Sequence, residues 1–238
     1  MSVPSVLPVS PTHPGMLPNG WGTDLQHLHA VEALNDAEYK ALAPIEERKD
    51  SADDHETLLI SSPYRTKSHL LDLSTISKRD SLLARAFTSM KATRPDYATA
   101  SYVDSFNWTS VVEKLRTLAV AENYPWTTSS FYLIAFRSQS LSGANRIRLS
   151  LLDEKSHEEA NESGGLLKYW FGQPDADFRN LATCVWSGRS DAMRANTKEH
   201  HRQAMVVLRE MYCTCQLERY ELTITDNVES WTLEPYVS

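Results

Sequence analysis

The sequence predicts an α+β protein. Residues 129–238 read as strand, helix, strand, strand, helix, strand; a mainly helical N-terminal extension covers residues 23–128, behind a proline-rich tail at residues 1–22. Three observations carry this. Phe131-Tyr132-Leu133-Ile134-Ala135-Phe136 is apolar on both alternating sets, which a strand tolerates only where both faces of its sheet are covered. Two long segments, Arg146 to Ser163 and Ser190 to Tyr212, hold no proline or glycine and repeat apolar residues at helical spacing. Between and after them lie short apolar runs separated by turn residues.

Along the chain, the tail holds five prolines (Pro4, Pro8, Pro11, Pro14, Pro18), a composition that favours extended, solvated backbone, so disorder is expected there. A helix is expected from Asp24 to Ala43, closed by Pro44, and the charge-dense stretch Glu46 to Glu56 reads as a solvated linker. A strand at His69 to Leu73 and a helix from Lys78 to Met90 follow, then a second helix from Ser105 to Glu122. Its Trp108, Val111, Val112, Leu115, Leu118 and Ala119 recur at three- and four-residue spacing, so one side is buried, and Tyr124-Pro125-Trp126 ends it.

In the C-terminal half, Gly143 and Asn145 turn the chain after the first strand. The helix Arg146 to Ser163 lines one side with Leu149, Leu152, Ser156 and Ala160, and Gly164-Gly165 ends it. Leu166 to Phe171 and Leu181 to Trp186 form a hairpin around Gly172-Gln173-Pro174-Asp175. Ser190 is the expected N-cap of a single helix running to Tyr212. Gln216 to Thr225 alternates Tyr220, Leu222 and Ile224 with Glu221, Thr223 and Thr225, the pattern expected of an edge strand. The order is the split βαβ arrangement of ferredoxin-like folds.

Composition narrows function. With 41% hydrophobic and 23% charged residues and no apolar run longer than six, the chain is expected to be soluble and to lack a membrane span. A net charge of −7 argues against a nucleic-acid partner. No positive charge precedes Lys40, and the three cysteines (Cys184, Cys213, Cys215) suit no disulfide framework or zinc spacing, so a cytoplasmic setting with reduced thiols is expected. There is no G-x-S-x-G elbow, P-loop or dinucleotide glycine fingerprint.

A four-stranded sheet with helices on one side leaves its other face open, yet Phe131, Leu133 and Ala135 point one way while Tyr132, Ile134 and Phe136 point the other. An apolar patch of that kind needs a cover. A second copy, making a two-fold homodimer of stacked sheets, is the expected solution; coverage by the N-terminal half is the alternative.

Phe131 to Arg137, Gly164-Gly165-Leu166-Leu167-Lys168-Tyr169-Trp170-Phe171-Gly172, Asn180 to Trp186 and His200-His201-Arg202-Gln203-Ala204 together resemble an uncharacterised fungal protein family, over a span reaching back to about residue 56. The layout of residues 129–226 also resembles the dimeric α+β barrel superfamily. That resemblance implies a small-molecule ligand held between helices and sheet, and the superfamily includes cofactor-free monooxygenases, lactone isomerases, ring-cleaving lyases and haem-binding enzymes. It shares no catalytic signature, so the chemistry stays open.

On the last helix, Thr197, His201, Ala204, Leu208 and Tyr212 fall within about 40° of one line, which turns His201 inward as the candidate proton-transfer residue. His200 lies roughly 80° away, at the rim. Arg137 and Lys168 are charges among apolar neighbours, and each needs Glu218, Glu221 or a ligand anion as partner; both are candidate catalytic residues balancing developing negative charge. Tyr132, Tyr169, Trp170 and Trp186 are candidate walls for a flat, aromatic or polyketide-like substrate, with His157 and His200 beside them. His157, flanked by Glu158 and Glu159, sits at the edge of its helix's apolar side. No metal site is expected, because no HExxH pair occurs. The expected enzyme needs no cofactor; the alternatives are a non-catalytic binding or assembly protein, and a haem protein with His201 or His157 as axial ligand.

Overall fold

The computed structural model describes residues 57–237; the tail, the helix expected at Asp24 to Ala43 and the charged linker lie outside the described residues. The N-terminal part opens with a two-stranded ribbon, β1 (Leu58–Leu59) against β2 (Leu71–Asp72), in place of the longer strand expected at His69 to Leu73. Short 3-10 turns at Lys67–His69 and Leu73–Thr75 take up the rest.

Helix α1 (Lys78–Phe87) starts where the Ser77 hydroxyl accepts from the Asp80 amide at 3.1 Å. Helix α2 (Trp108–Ala121) starts at the first residue of its apolar stripe, three residues after the expected Ser105. Thr93 N donates to Ser105 O, and the Asn107 side chain bridges Lys91 N and Ser89 O, so residues 105–107 are held in the loop that joins the two helices. Asn123, at φ 49°, and Pro125 then end the helix.

Five antiparallel strands form the main sheet: β3 (Ser129–Ser140), β4 (Leu166–Phe171), β5 (Arg179–Trp186), β6 (Tyr212–Ile224) and β7 (Trp231–Pro235), in the order β4-β5-β3-β6-β7. The first four have ferredoxin-like order, with α3 (Arg146–Ser163) joining β3 to β4 and α4 (Arg189–Ala195) with α5 (Glu199–Met211) joining β5 to β6. Strand β7 makes β6 internal, pairing Leu222 with Leu233 and Ile224 with Trp231. The polar alternation of β6 records a solvated face and carries no information about its edges.

The single helix expected from Ser190 is two helices, and its N-cap is Gly188. The break falls at Asn196-Thr197-Lys198. There the Thr197 hydroxyl takes the Arg194 carbonyl at 2.8 Å, and the backbone bonds tighten to three-residue spacing.

The two sheet faces have different covers. Phe131, Leu133 and Ala135 of β3, with Leu181 and Val185 of β5, pack under Leu82, Leu83 and Phe87 of α1 and Val111, Val112 and Leu115 of α2. Asp80 fixes α1 there by accepting from Ser187 Oγ at 3.0 Å and Arg79 Nε at 2.9 Å, while the Arg79 guanidinium lies 4.9 Å from the Phe131 ring centroid. The opposite face carries Tyr132, Tyr169 and Trp186 under α3 and α4.

Both covers therefore come from the same chain. This corrects the reasoning that led to a stacked-sheet homodimer, because α1 and α2 occupy the surface a second copy would need. Light scattering is expected to give a molar mass near the 26.9 kDa of one chain; a value near twice that would place the pairing surface elsewhere.

Candidate functional site

The site is built on α3. The Asn145 side chain caps its start by accepting from Arg148 N at 3.0 Å, and Gly164 and Gly165 end it at φ 80° and 82°. A Cβ on Gly165 would lie 2.5 Å from Asp191, so the chain reverses there only with glycine. The side of α3 turned to the sheet runs through Asp153, His157 and Ala160, at four- and three-residue spacing. His157 is 4% exposed and central on that side. This corrects its expected place at the helix edge: Leu149 and Leu152 shifted the apparent apolar line away from the true inward one.

The segment after β1 completes the cluster. Ser61 O accepts from Tyr169 N along the outer edge of β4, and Asn161 of α3 donates to Ser68 O and Leu70 O, so residues 61–70 are tied to both elements. They bring Tyr64 and His69 onto α3. The Asp153 carboxylate accepts from Tyr64 OH and Tyr169 OH, each at 2.5 Å. Burial pushes the Asp153 carboxyl up, against the two phenol donors that hold it down, and burial beside Asp153 raises both phenols. His157 Nδ1 lies 2.8 Å from His69 Nδ1, with the Tyr64 ring centroid 4.7 Å from His69 and 5.2 Å from His157. Burial, helped by the neighbouring imidazoles of His69 and His201, which oppose its protonation, lowers the His157 imidazole to about 3, so it stays neutral at physiological pH.

His200 and His201 open α5, whose N-cap residue Lys198 provides no side-chain cap. The cap comes from α3: the Glu159 carboxylate accepts from His200 N at 3.0 Å and His201 N at 3.2 Å, and Oε1 meets His200 Nδ1 at 2.7 Å. Burial works to raise Glu159, but these donors outweigh it and hold the carboxyl below its ordinary value. His200 is at the rim as expected. His201 is turned in, and burial lowers its imidazole against the pull of Glu159.

Three buried polar atoms on this side have no hydrogen-bond partner among the described residues, Ser156 Oγ and His157 Nε2 on α3 and Trp186 Nε1 on β5; His201 Nδ1 on α5 faces Glu159 Oε2 at 3.5 Å. On the other side of the sheet the corresponding orphan is Trp108 Nε1 alone, among the described residues.

Of the nine expected site residues, Tyr132, Tyr169, Trp186, His157, His200 and His201 share the α3 to α5 side. Arg137, Lys168 and Trp170 do not join them, which corrects the single constellation read from the sequence. Arg137 belongs to the alternation of Leu133 and Ala135 and donates to Glu218 Oε1 at 2.7 Å and to the carbonyls of Tyr97, Ala98 and Ala100. Trp170 packs edge-on against Tyr97 and Phe106. Lys168 pairs in register with Val185, beyond an irregularity at Leu167. It is 8% exposed, has no hydrogen-bond or ion-pair partner among the described residues, and burial lowers its amine to about 8. Tyr64, His69 and Asp153 were missed. The signal for Asp153 was its four-residue spacing from His157; nothing local marked the other two.

Among the described residues no group of three or more His, Cys, Asp or Glu side chains is placed to hold a metal ion, and no helix is long and apolar enough to cross a membrane. A crevice of about 520 Å³ at the C-terminal end of α3, lined by Leu71, Asp72, Ile76, Asn161, Gly165 and Arg194 among others, includes none of the nine.

An antiparallel sheet of ferredoxin-like order, with a histidine-bearing helix layer on one face and two further helices on the other, defines the chain as a ferredoxin-like α+β protein with an added N-terminal cover. It belongs to the PB2B2.08-like family, whose model matches residues 60–235. UPF0643 protein PB2B2.08 of Schizosaccharomyces pombe is 36% identical over 180 residues, covering 72% of this chain and 81% of that protein. Among solved structures, a putative antibiotic biosynthesis monooxygenase from Nitrosomonas europaea is 12% identical with a TM-score of 0.33, covering 38% of this chain and 94% of its own. SnoaB, a cofactor-independent oxygenase from Streptomyces nogalater, is 13% identical with a TM-score of 0.32, covering 38% of this chain and 90% of its own. At that similarity neither assigns an activity to this chain.

Proposed function

We propose that the protein is an enzyme that holds a small aromatic or polyketide-like molecule between its α3 to α5 layer and the sheet, and moves a proton on it without a bound cofactor. The observation that carries this reading is the set of three buried polar atoms on that one side, Ser156 Oγ, His157 Nε2 and Trp186 Nε1, that have no partner among the described residues. Buried polar groups are almost always paired, and each one left open costs about 1–3 kcal/mol, so a cluster of them is a set of positions a ligand satisfies. The neutral imidazole at His157 accepts a hydrogen bond from a phenol or enol O–H and orients it, and His201 is the proton carrier. The oxygen that gains charge meets the donors of Trp186 and Ser156, and Tyr132 and Trp186 form the flat wall. Cyclisation, isomerisation, lyase chemistry and oxygenation all begin with such a step. The three unpaired cysteines are in keeping with a cytoplasmic setting.

The test is a panel of hydroxylated aromatic and polyketide-like carbonyl compounds, followed by Trp fluorescence and product analysis. Binding should quench Trp186, and His157→Gln and His201→Ala should each lower turnover by about 10²–10⁴-fold while the fold persists. Binding without turnover makes the protein a carrier. Unchanged turnover in both variants removes the assignment.

A further inference from the structure

We infer that His69, oriented by Glu154, is a positioning residue that holds His157 as the Nδ1–H tautomer and leaves Nε2 as the bare hydrogen-bond acceptor of the site. This rests on the proton-transfer reading above and narrows it. The ligand would be a neutral molecule that presents a hydrogen-bond donor, a phenol or enol O–H, to Nε2.

The argument is one of hydrogen counting. The two Nδ1 atoms are 2.8 Å apart, so one carries a hydrogen and the other a lone pair. His69 Nε2 lies 3.7 Å from Glu154 Oε1. An ionised carboxylate only accepts, so it favours the hydrogen on His69 Nε2. A neutral ring has one such hydrogen. His69 Nδ1 is then the acceptor, His157 Nδ1 the donor, and His157 Nε2 has none. The opposite arrangement would set a lone pair of His69 against the carboxylate and bury a His157 N–H with nothing among the described residues to receive it.

Neither ring is free to swing. His69 sits in the Lys67–His69 turn, with its amide on Thr66 O, and Asn161 grips the carbonyls of both neighbouring residues. The Tyr64 ring lies against both imidazoles, and Tyr169 is 5.3 Å from His157. The charged and titratable groups that act on the pair are Asp153, Glu154, Lys155 and Glu158 of α3 and His201 of α5. Burial outweighs the carboxylates on both rings and keeps the pair neutral.

The experiment is a long-range ¹H–¹⁵N spectrum of the full chain carrying ring-labelled histidine, with His157 assigned from its loss in His157→Gln. At pH 7 the expected pattern is a protonated Nδ1 and a bare Nε2, because burial holds both rings below the ordinary histidine value and so neutral. His69→Phe removes the acceptor and should convert the pattern to Nε2–H. His69→Gln, whose side-chain oxygen can take the same hydrogen, should restore it. Glu154→Leu, at a half-exposed position, should give a mixture of the two. An Nε2–H pattern in the unaltered protein, an imidazolium signal near pH 6.5, or a pattern unmoved by His69→Phe overturns the inference. If His69→Phe does not fold, the spectra of the unaltered protein and of Glu154→Leu decide. No substrate is needed: a correct tautomer in a protein that turns over nothing would sink the enzymatic reading and leave the histidine relay standing.

Discussion

Replacing Lys168 with methionine is expected to stabilise the protein by about 3 kcal/mol at pH 7, with a rise in Tm of about 6–12 °C. Lys168 is 8% exposed and has no counter-charge among the described residues, and burial lowers its amine from 10.5 to about 8. The sign follows from proton counting. Below pH 8 both folded and unfolded chains hold the proton, so the folded state bears the whole cost of the desolvated charge. Between pH 8 and 10.5 the folded chain releases its proton first, and the penalty fades. Methionine keeps the packed stem and removes the charge, so the advantage of the variant should shrink as pH rises and be largely gone by pH 10.5. Paired urea titrations at several pH values measure it. A variant that is no more stable at pH 7, or an advantage independent of pH, would show that Lys168 is solvated or paired.

The second large effect is at Arg137, in the opposite direction. Its side chain is 14% exposed and satisfies Glu218 and three carbonyls of the 97–100 turn. Arg137→Met leaves a half-buried carboxylate with the Tyr220 hydroxyl but no counter-charge, and removes the guanidinium donor from three carbonyls, so a loss of about 3–5 kcal/mol is expected. Adding Glu218→Leu should recover part of it, because the stranded charge goes too. The His157 spectrum should not change in either variant, since the two residues lie on opposite sides of the sheet. Loss of turnover at full stability would instead return Arg137 to the catalytic machinery.

These two residues show what could be read from the sequence and what could not. Alternation along Phe131 to Phe136 gives the parity of each side chain, and it separates Arg137 from Tyr132 correctly. Parity alone does not say which side receives α3 and α5, and the irregularity at Leu167 disturbs the count before Lys168. The need for cover on both faces was legible in the same six residues. Its source was not, because a helix stripe such as Val111, Val112 and Leu115 fits a sheet of its own chain as well as one from a second copy. The break between α4 and α5 has no proline or glycine to announce it; it depends on Glu159, forty residues away in the chain, for its cap. The inward course of His201 came from spacing within one helix. Tyr64 and His69 reach the site from a segment with no periodicity, and only the folded chain brings them there. Strand β7 is five residues long, too short for its Trp231 and Leu233 alternation to stand out.

Helix α3 is also a spacer. Within seven residues it carries the acceptor for two tyrosines, the imidazole that meets His69, and the carboxylate that seats the histidine doublet. One residue inserted between Asp153 and Glu159 would rotate half of these by about 100° relative to the rest. Length changes can accumulate in the surrounding loops, but within this short span the molecule tolerates altered side chains better than an altered count.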